Sequence, residues 1–577
     1  MLSMRRRTQK TGLTINSIAG THVVFFGLNL APSKRAGFRG FGFKRRDHVE
    51  GDEIWLEGLK TFRKTEPYPA LGERFSTLHH PIQSFQWADY TVKPGRKYTY
   101  TVVALYGDPV SLVPKIELAV DVTTETEIGL VHSAFFNRGS VATQEYARRF
   151  QNKPPGEAGE GAYQWLSRGL LEALVAFLGR AGQGWEIHAA FYEFQWPAAL
   201  AAFRDAHARG ADVHVRYDDI VAFDNKGNPA GPFQKNRDAI SAAKIKSLCR
   251  GRQNGKLMHD KFVVLSENGT PKAVWTGSTN LTENGIFGHA NVGHIVEDST
   301  IAQAFRAYWD RLAGDPPVAK PYRDANVAAT PTPPNPWSAV TTPVFSPRGT
   351  NLDALQWYAD LAGGAKHGLF MTFAFGMNEK FKAVYEKQDT VLRMALMEKD
   401  WGNPKTIAKD RHDIQLIRNR PNVVVAIGNR IVTNSFDRWL AELSQIDPDV
   451  HVYWIHLKFM LVDPLGEDPI VVTGSANFSK ASTDTNDENM LVIRGDTRIA
   501  DIYLGEYLRL YTHYAFRESV KFFMERQKAG KPEDWKPQFL VDDDAWMDPY
   551  FDPADTSARN ARRAYFASPI KDTPHGG

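Results

Sequence analysis

Two layered α/β units preceded by an all-β sandwich are what this sequence predicts, and three observations carry the prediction. Residues 11–125 offer only short alternating strands between Gly, Pro and Asn turns. After residue 125, strands alternate with amphipathic helices, the order of a layered α/β domain with a largely parallel sheet. The later part of the chain then repeats a polar motif of the earlier part without a gap.

In the N-terminal stretch, "THVVFFGLNL" and "YTYTVVALYG" have the period-two pattern of strands buried on one face. The segment from Val92 to Gly107, "VKPGRKYTYTVVALYG", resembles the late strand of a fibronectin type III or related immunoglobulin-like domain, with a Pro-Gly turn before alternating aromatics. A sandwich over residues 11–125 is expected.

Beyond it, "YQWLSRGLLEALVAFLGRA" reads as a helix and "WEIHAAFYEF" as a strand. "PAALAAFRDAHARG" is a helix opened by Pro and closed by Gly, and "ADVHVRYDD" is a strand. The run "TPTPPNPW" (Thr330–Trp337) cannot sustain backbone ladders and marks a linker. Past it the order returns, with a helix at "NLDALQWYADLAGGA", a strand at "GLFMTFAF" and a helix at "NEKFKAVYEKQ". The expected division is therefore a first half over 126–325, a linker over 326–343, a second half over 344–525 and a C-terminal tail over 526–577.

Composition sets bounds on function. Of 577 residues 42% are hydrophobic and 24% charged, and the net charge of +4 neither demands nor excludes a polyanionic partner. Cys249 is the one cysteine, so no intrachain disulfide forms. "MLSMRRRTQKTGL" has basic residues without an apolar stretch behind them, and no run approaches the ~18–20 apolar residues of a membrane span. A cytoplasmic protein is the expectation, with peripheral membrane contact left open and nothing said of oligomeric state.

The repeated motif is "MHDKFVVLSENGTPKAVWTGSTN" in the first half and "IHLKFMLVDPLGEDPIVVTGSAN" in the second. His259 to Gly277 and His456 to Gly474 each span 18 positions, and the two copies lie 197 residues apart. On a strand, residues two apart share a face, pairing His259 with Lys261 and His456 with Lys458. A Gly that permits a tight turn then brings Ser278 and Asn280, or Ser475 and Asn477. If the halves pack about a pseudo-twofold axis, one site gathers two imidazoles, two ammonium groups and two amides, a costly cluster unless an anion sits in it. A phosphodiester suits it: the lysines and asparagines hold the non-bridging oxygens, one histidine attacks phosphorus, and the other protonates the leaving oxygen and then activates water. The lysines supply the positive charge, so no metal and no cofactor is expected.

His-x-Lys followed by Gly-Ser-x-Asn, given twice, resembles the phospholipase D superfamily with its HKD motif, over roughly residues 130–520. The resemblance implies two α/β halves sharing one active site, with His259, Lys261, Asn280, His456, Lys458 and Asn477 catalytic and Ser278 and Ser475 at the substrate. The family motif ends in Asp seven residues after His, and there the second copy has Asp463 but the first has Ser266; that Asp is implied to be structural. The family also supplies an acid to the catalytic imidazole. Glu488 in "NDENMLVI" matches it, while "GHANVGHIV" offers Asn291 or a neighbour, so the expectation is that Glu488 orients His456 and that His259 lacks such a partner. The family more often uses the N-terminal histidine as nucleophile.

Other candidates read as structural. Asp218 and Asp219 are expected to be a solvated strand end, His289 and His294 to be structural or supporting, and "MRRR" and "FKRRD" to be solvated charge. "VDDDAWMDPYFDP" is expected to dock through Trp546, Tyr550 and Phe551 rather than to bind a metal. The implied activity is a metal-independent phosphodiesterase working through a phosphohistidine, with phospholipid the favoured substrate. The aromatic content of 12% could supply an interfacial rim. A nuclease acting on DNA or RNA is the alternative, on the pI near 8.7; a decayed phosphate-binding module is the alternative of another class.

Overall fold

The computed structural model describes residues 3–70, 73–139, 143–224, 227–332, 338–349, 353–402, 405–428, 455–528, 538–570 and 573–574. Most of the linker run, residues 333–337, and "HVYW" of the second motif lie outside them.

The β-rich sequence at the N-terminus folds into two antiparallel sheets packed face to face. One has strands in the order Thr573–Pro574, Ser3–Lys10, Leu13–Ala19, Val24–Leu30, Gln86–Asp89; the other runs Ser111–Thr123, Lys97–Asp108, Phe38–Asp47, Glu53–Trp55. Alternation puts Ile15, Phe26 and Leu28 of one sheet against Phe41, Phe43, Tyr100 and Val102 of the other. The end of the chain completes this unit. Trp546, Met547 and Tyr550 enter its core with Phe551 packed beside them, and the helix Arg559–Phe566 lies so close to Gly27 that a Cβ there would stand 2.1 Å from the Phe566 carbonyl oxygen.

The expectation of solvated charge at "MRRR" and "FKRRD" is overturned at Arg5 and Arg45, while Arg46 is exposed. Arg5 is 1% exposed and bonds through Nε and Nη2 to Asp501, at 2.7–2.9 Å, on the long helix Thr497–Lys528. Arg45 pairs with Asp89 at 2.8 Å. These arginines tie the β-unit together and to the body, because a buried cation needs a carboxylate at hand.

Each α/β half is built on a seven-stranded mixed sheet of the same plan. In the first the order is His132–Phe136, Val292–Val296, Thr270–Gly277, Lys261–Glu267, Trp185–Phe191, Asp212–Asp218, Cys249–Arg252. In the second it is Thr341–Ser346, Glu488–Arg494, Ile470–Gly474, Phe459–Val462, Gly368–Phe373, Leu392–Met397, Val423–Ile427. The last three strands of each list are parallel and the rest antiparallel. The helix that ends each half packs against the other. Tyr308 of Ser299–Ala313 stacks on Phe345 at 4.4 Å, and Tyr503 of Thr497–Lys528 contacts Phe136 at 5.0 Å and Phe459 at 5.3 Å. One apolar cluster therefore runs through both halves, and the two sheets bring their motif ends together. Among the described residues no helix is long and apolar enough to cross a membrane.

Candidate active site

The two His-x-Lys motifs straddle the entry to a strand rather than lying within one, since the regular ladders start at Lys261 and Phe459. The residues just before them cross to the opposite half. Met258 bridges Asp487, with His259 N–H donating to the Asp487 carbonyl at 2.9 Å, and Ile455 bridges Ala290. The rings of His259 and His456 come to 6.4 Å between centroids. Lys261 and Lys458 each donate to the carbonyl of their own histidine at 2.5 Å, so the structure does bring both pairs into one site. These four side chains are at most 7% exposed.

The orienting groups are exchanged between halves. Glu488 does not sit behind His456: its Oε2 accepts from His259 Nδ1 at 2.8 Å, and the partner of His456 Nδ1 is Asn291 Oδ1 at 2.9 Å. Each strand that follows a Gly-Ser-x-Asn turn reaches across the interface and serves the other half's histidine. A carboxylate only accepts, so His259 carries its proton on Nδ1. Asn291 Nδ2 donates to the Gly285 carbonyl at 2.7 Å, which turns Oδ1 toward His456 and places that proton on Nδ1 too. Both Nε2 atoms are left with a lone pair.

Ser278 and Ser475 are not placed to hold substrate. Both are fully buried; Ser278 Oγ donates to Asn291 Oδ1 at 2.8 Å and Ser475 Oγ to Glu488 Oε2 at 2.7 Å, thirteen residues on in each case. Each serine thus fixes the group that fixes the opposite imidazole. The motif glycines make this possible, with φ +140° at Gly277 and +156° at Gly474, where a Cβ would meet a neighbouring strand's carbonyl oxygen at 2.2 and 2.3 Å.

Burial dominates the electrostatics. It pulls His259 down to about 4 against the pull of Glu488, and drives His456 well below its usual range, with Lys458 adding to the effect. Both imidazoles are neutral at pH 7. Lys261 is lowered by burial to about 8, with Glu488 and Glu193 working against the shift, and burial with the neighbouring Lys261 charge drives Lys458 well below its usual range. Burial would raise Glu488, but His259 and Lys261 outweigh it and hold the carboxyl below its usual range.

Around this centre, Asn280 Nδ2 donates to Glu193, and the amide oxygens of both Asn280 and Asn477 have no hydrogen-bond partner among the described residues. His289 stacks on His456 at 5.4 Å, whereas His294 lies apart in a buried chain with His132 and Tyr503. Asp463 is structural: its carboxylate accepts from the N–H groups of Lys366, His367 and Gly368 at 2.7–2.9 Å. Ser266 is buried and its hydroxyl is unpaired among the described residues.

Asp218 and Asp219 are not a solvated strand end. Asp219 is buried with Arg237, and Asp218 accepts from Met258 N–H at 2.9 Å, immediately before His259. Glu398 does the same for Ile455 at 2.9 Å, immediately before His456. This second symmetric pair escaped the sequence because it lies 180 residues apart, not 197, so the constant offset of the motif does not find it.

The fold and site define a two-lobed α/β protein with one shared imidazole–lysine centre. The domain model "Cardiolipin synthase, PLD-like domain" matches residues 174–313 and 405–510, each stretch containing one copy of the motif. The chain thus carries a phospholipase D-like domain in two stretches that together span less than half of it. Solved structures to which the chain is similar include phosphatidylserine synthase from Haemophilus influenzae (11% identity, TM-score 0.42, 63% of this chain and 92% of that one). A second is Nuc, a phospholipase D family member from Salmonella typhimurium (21%, 0.20, 25% and 86%). A third is polyphosphate kinase from Porphyromonas gingivalis (12%, 0.35, 57% of this chain), of whose length the match spans 43%. No curated protein matches the chain.

Proposed function

We propose that this protein is a metal-independent phosphodiesterase that cleaves its substrate through a phosphohistidine. The observation that carries the reading is the reciprocal fixing of the two imidazoles, each with Nδ1–H held by the other half and Nε2 open. His259 is assigned as nucleophile. When its Nε2 bonds to phosphorus the ring becomes cationic, and Glu488 at Nδ1 stabilises that charge; Asn291, being neutral, offers His456 less. His456 receives a proton as the phosphate anion binds beside it, delivers it to the leaving oxygen, and then takes one from the water that attacks the phosphohistidine. Lys261, Lys458, Asn280 and Asn477 bind the non-bridging oxygens, and the two ammonium groups take the charge role that a cation would fill.

Phospholipid is the favoured substrate. Val221 and Phe223, 53% and 61% exposed, follow Asp218 at the end of the sheet where His259 sits, which suits an enzyme meeting a lipid surface. The test is turnover in EDTA of phosphatidylcholine vesicles and of single- and double-stranded DNA, with His259→Ala and His456→Ala beside the wild type. Choline release lost in both variants supports the reading, and DNA cleavage lost in both makes the protein a nuclease. Silence on every substrate removes the enzyme reading in favour of a phosphate-binding module.

A further inference from the structure

The first motif carries a fully buried acid, Asp260, between its histidine and its lysine, where the second carries Leu457. Asp260 Oδ1 accepts from Asn489 Nδ2 at 2.8 Å, and Asn489 Oδ1 accepts from the Thr276 hydroxyl. An amide of the second half is thus held at both ends by the first half. His259 and Asp260 are consecutive, as are Glu488 and Asn489, and they pair in that order. The bond that orients the first imidazole therefore lies beside a second bond between the same two stretches of chain.

At the other histidine the corresponding positions are apolar. Counting 197 residues between copies, Asn291 stands for Glu488, Val292 for Asn489 and Leu457 for Asp260. Val292 and Leu457 are buried in the cluster common to both halves, and Thr473, the counterpart of Thr276, is met by the Tyr503 hydroxyl at 3.3 Å. Apolar contact is non-directional, whereas an amide bonded at both ends fixes a register. The protonation of Asp260 follows from its second oxygen. The Tyr308 hydroxyl has one proton but lies 3.0 Å from Asp260 Oδ2 and 2.8 Å from the Ser346 carbonyl oxygen. A proton on Oδ2 lets Asp260 donate to Tyr308 and Tyr308 to Ser346. Burial, with the charge of Asp487 adding to it, pushes Asp260 well above the usual carboxylate range, in agreement. A neutral Asp260 can hold Asn489 without competing with Glu488 for positive charge on the imidazole.

We propose that Asp260 and Asn489 are positioning residues, a clamp across the two halves that keeps Glu488 aligned on His259 while the ring takes up the phosphoryl group. The inference rests on the phosphodiesterase reading and adds to it two residues that act through Glu488. A charged hydrogen bond weakens steeply when its angle opens, so a carboxylate reaching across an interface gains from a neighbour that stops the interface from sliding. Asn291, a neutral partner, serves His456 with only apolar packing at the matching place.

The test measures kcat and KM on bis(p-nitrophenyl) phosphate for Asp260→Leu and Asn489→Val, which install the residues of the second half, with urea unfolding to establish that each is folded. Each should lose about tenfold in kcat, near the worth of one buried hydrogen bond, with KM changed less than about twofold. Asn489→Val carries the comparison if Asp260→Leu does not fold. Asp260→Asn keeps an acceptor for Asn489 and offers a donor to Tyr308, so it should recover most of what Asp260→Leu loses. In a Glu488→Ala background Asn489→Val should cost less than about twofold more, because the bond it aligns is gone. A full further loss in that background would show that the pair supports the fold at large and would overturn the clamp; so would Asp260→Asn as impaired as Asp260→Leu. A readout without turnover is the His259 Nδ1 proton resonance in protein with isotope-labelled histidine, identified by its loss in His259→Ala. Asn489→Val should shift it upfield as the bond to Glu488 loosens, and an unmoved resonance would overturn the clamp. Wild type silent on the diester overturns the phosphodiesterase reading; the clamp then stands or falls by the resonance alone.

Discussion

The first and second halves share a sheet plan, a motif and an internal spacing, yet they do not present the same chemistry. At the first histidine stands a carboxylate, Glu488, from across the interface. At the second stands an amide, Asn291. A duplicated scaffold keeps the geometry of two imidazoles while single substitutions polarise it, so that one ring is suited to bear positive charge and the other to pass a proton.

The most forceful way to break this comparison is to remove each imidazole. His259→Ala and His456→Ala should each lose about 10⁴-fold or more in turnover of a p-nitrophenyl diester. They should differ in the intermediate: with its activated leaving group His456→Ala still forms the adduct on His259, visible as added mass on the intact protein, and His259→Ala forms none. An adduct in the His259 variant alone would reverse the assignment.

The next effect concerns the orienting groups. Glu488→Gln should lower kcat by about 10²-fold, because the imidazolium formed on attack loses its counter-charge. Asn291→Ala should cost about tenfold, near the worth of one neutral hydrogen bond. Equal losses, measured as kcat on the same diester, would erase the distinction between the halves.

Stability sharpens the contrast between Asp463 and Ser266. Asp463→Ala leaves three backbone N–H groups without their carboxylate and should cost ~1–3 kcal/mol in urea unfolding. Ser266→Ala should stay within about 0.5 kcal/mol, since its hydroxyl has no partner among the described residues to lose.

The smallest effect is one of pH. Burial pushes Asp218 up to about 7, against the N–H groups of Met258 and Ile220 that donate to its carboxylate. The folded state therefore binds a proton that the unfolded state has lost between about pH 4 and 7, and this group's contribution to stability falls as pH rises through that window. In Asp218→Asn it is absent, so the Tm of the variant relative to wild type should climb from pH 4 to 7 and level off above. A difference independent of pH would show that the carboxyl does not titrate there.

Much of this was legible in the chain. The period-two strands of the N-terminus, the return of strand–helix order after the proline run and the ungapped double motif led to the architecture. They also led to His259, Lys261, His456 and Lys458 in one centre, because strand periodicity and equal spacing are local properties. The position of Asp463, seven residues after His456, is legible in the same way. The charge of Arg5, the placement of Asp218 and the equivalence of Asp218 with Glu398 were not legible, since each depends on a partner remote in the chain.

Sequence alone thus determined which groups the site contains and that there are two of each, for the spacing from His to Asn is written twice without a gap. Tertiary structure alone decided who serves whom. Glu488 is nearer in the chain to His456 but bonds to His259, and Ser278 and Ser475 turn from substrate toward Asn291 and Glu488. The physical reason is that each orienting strand packs across an interface between halves, and chain order holds no record of which surfaces will meet.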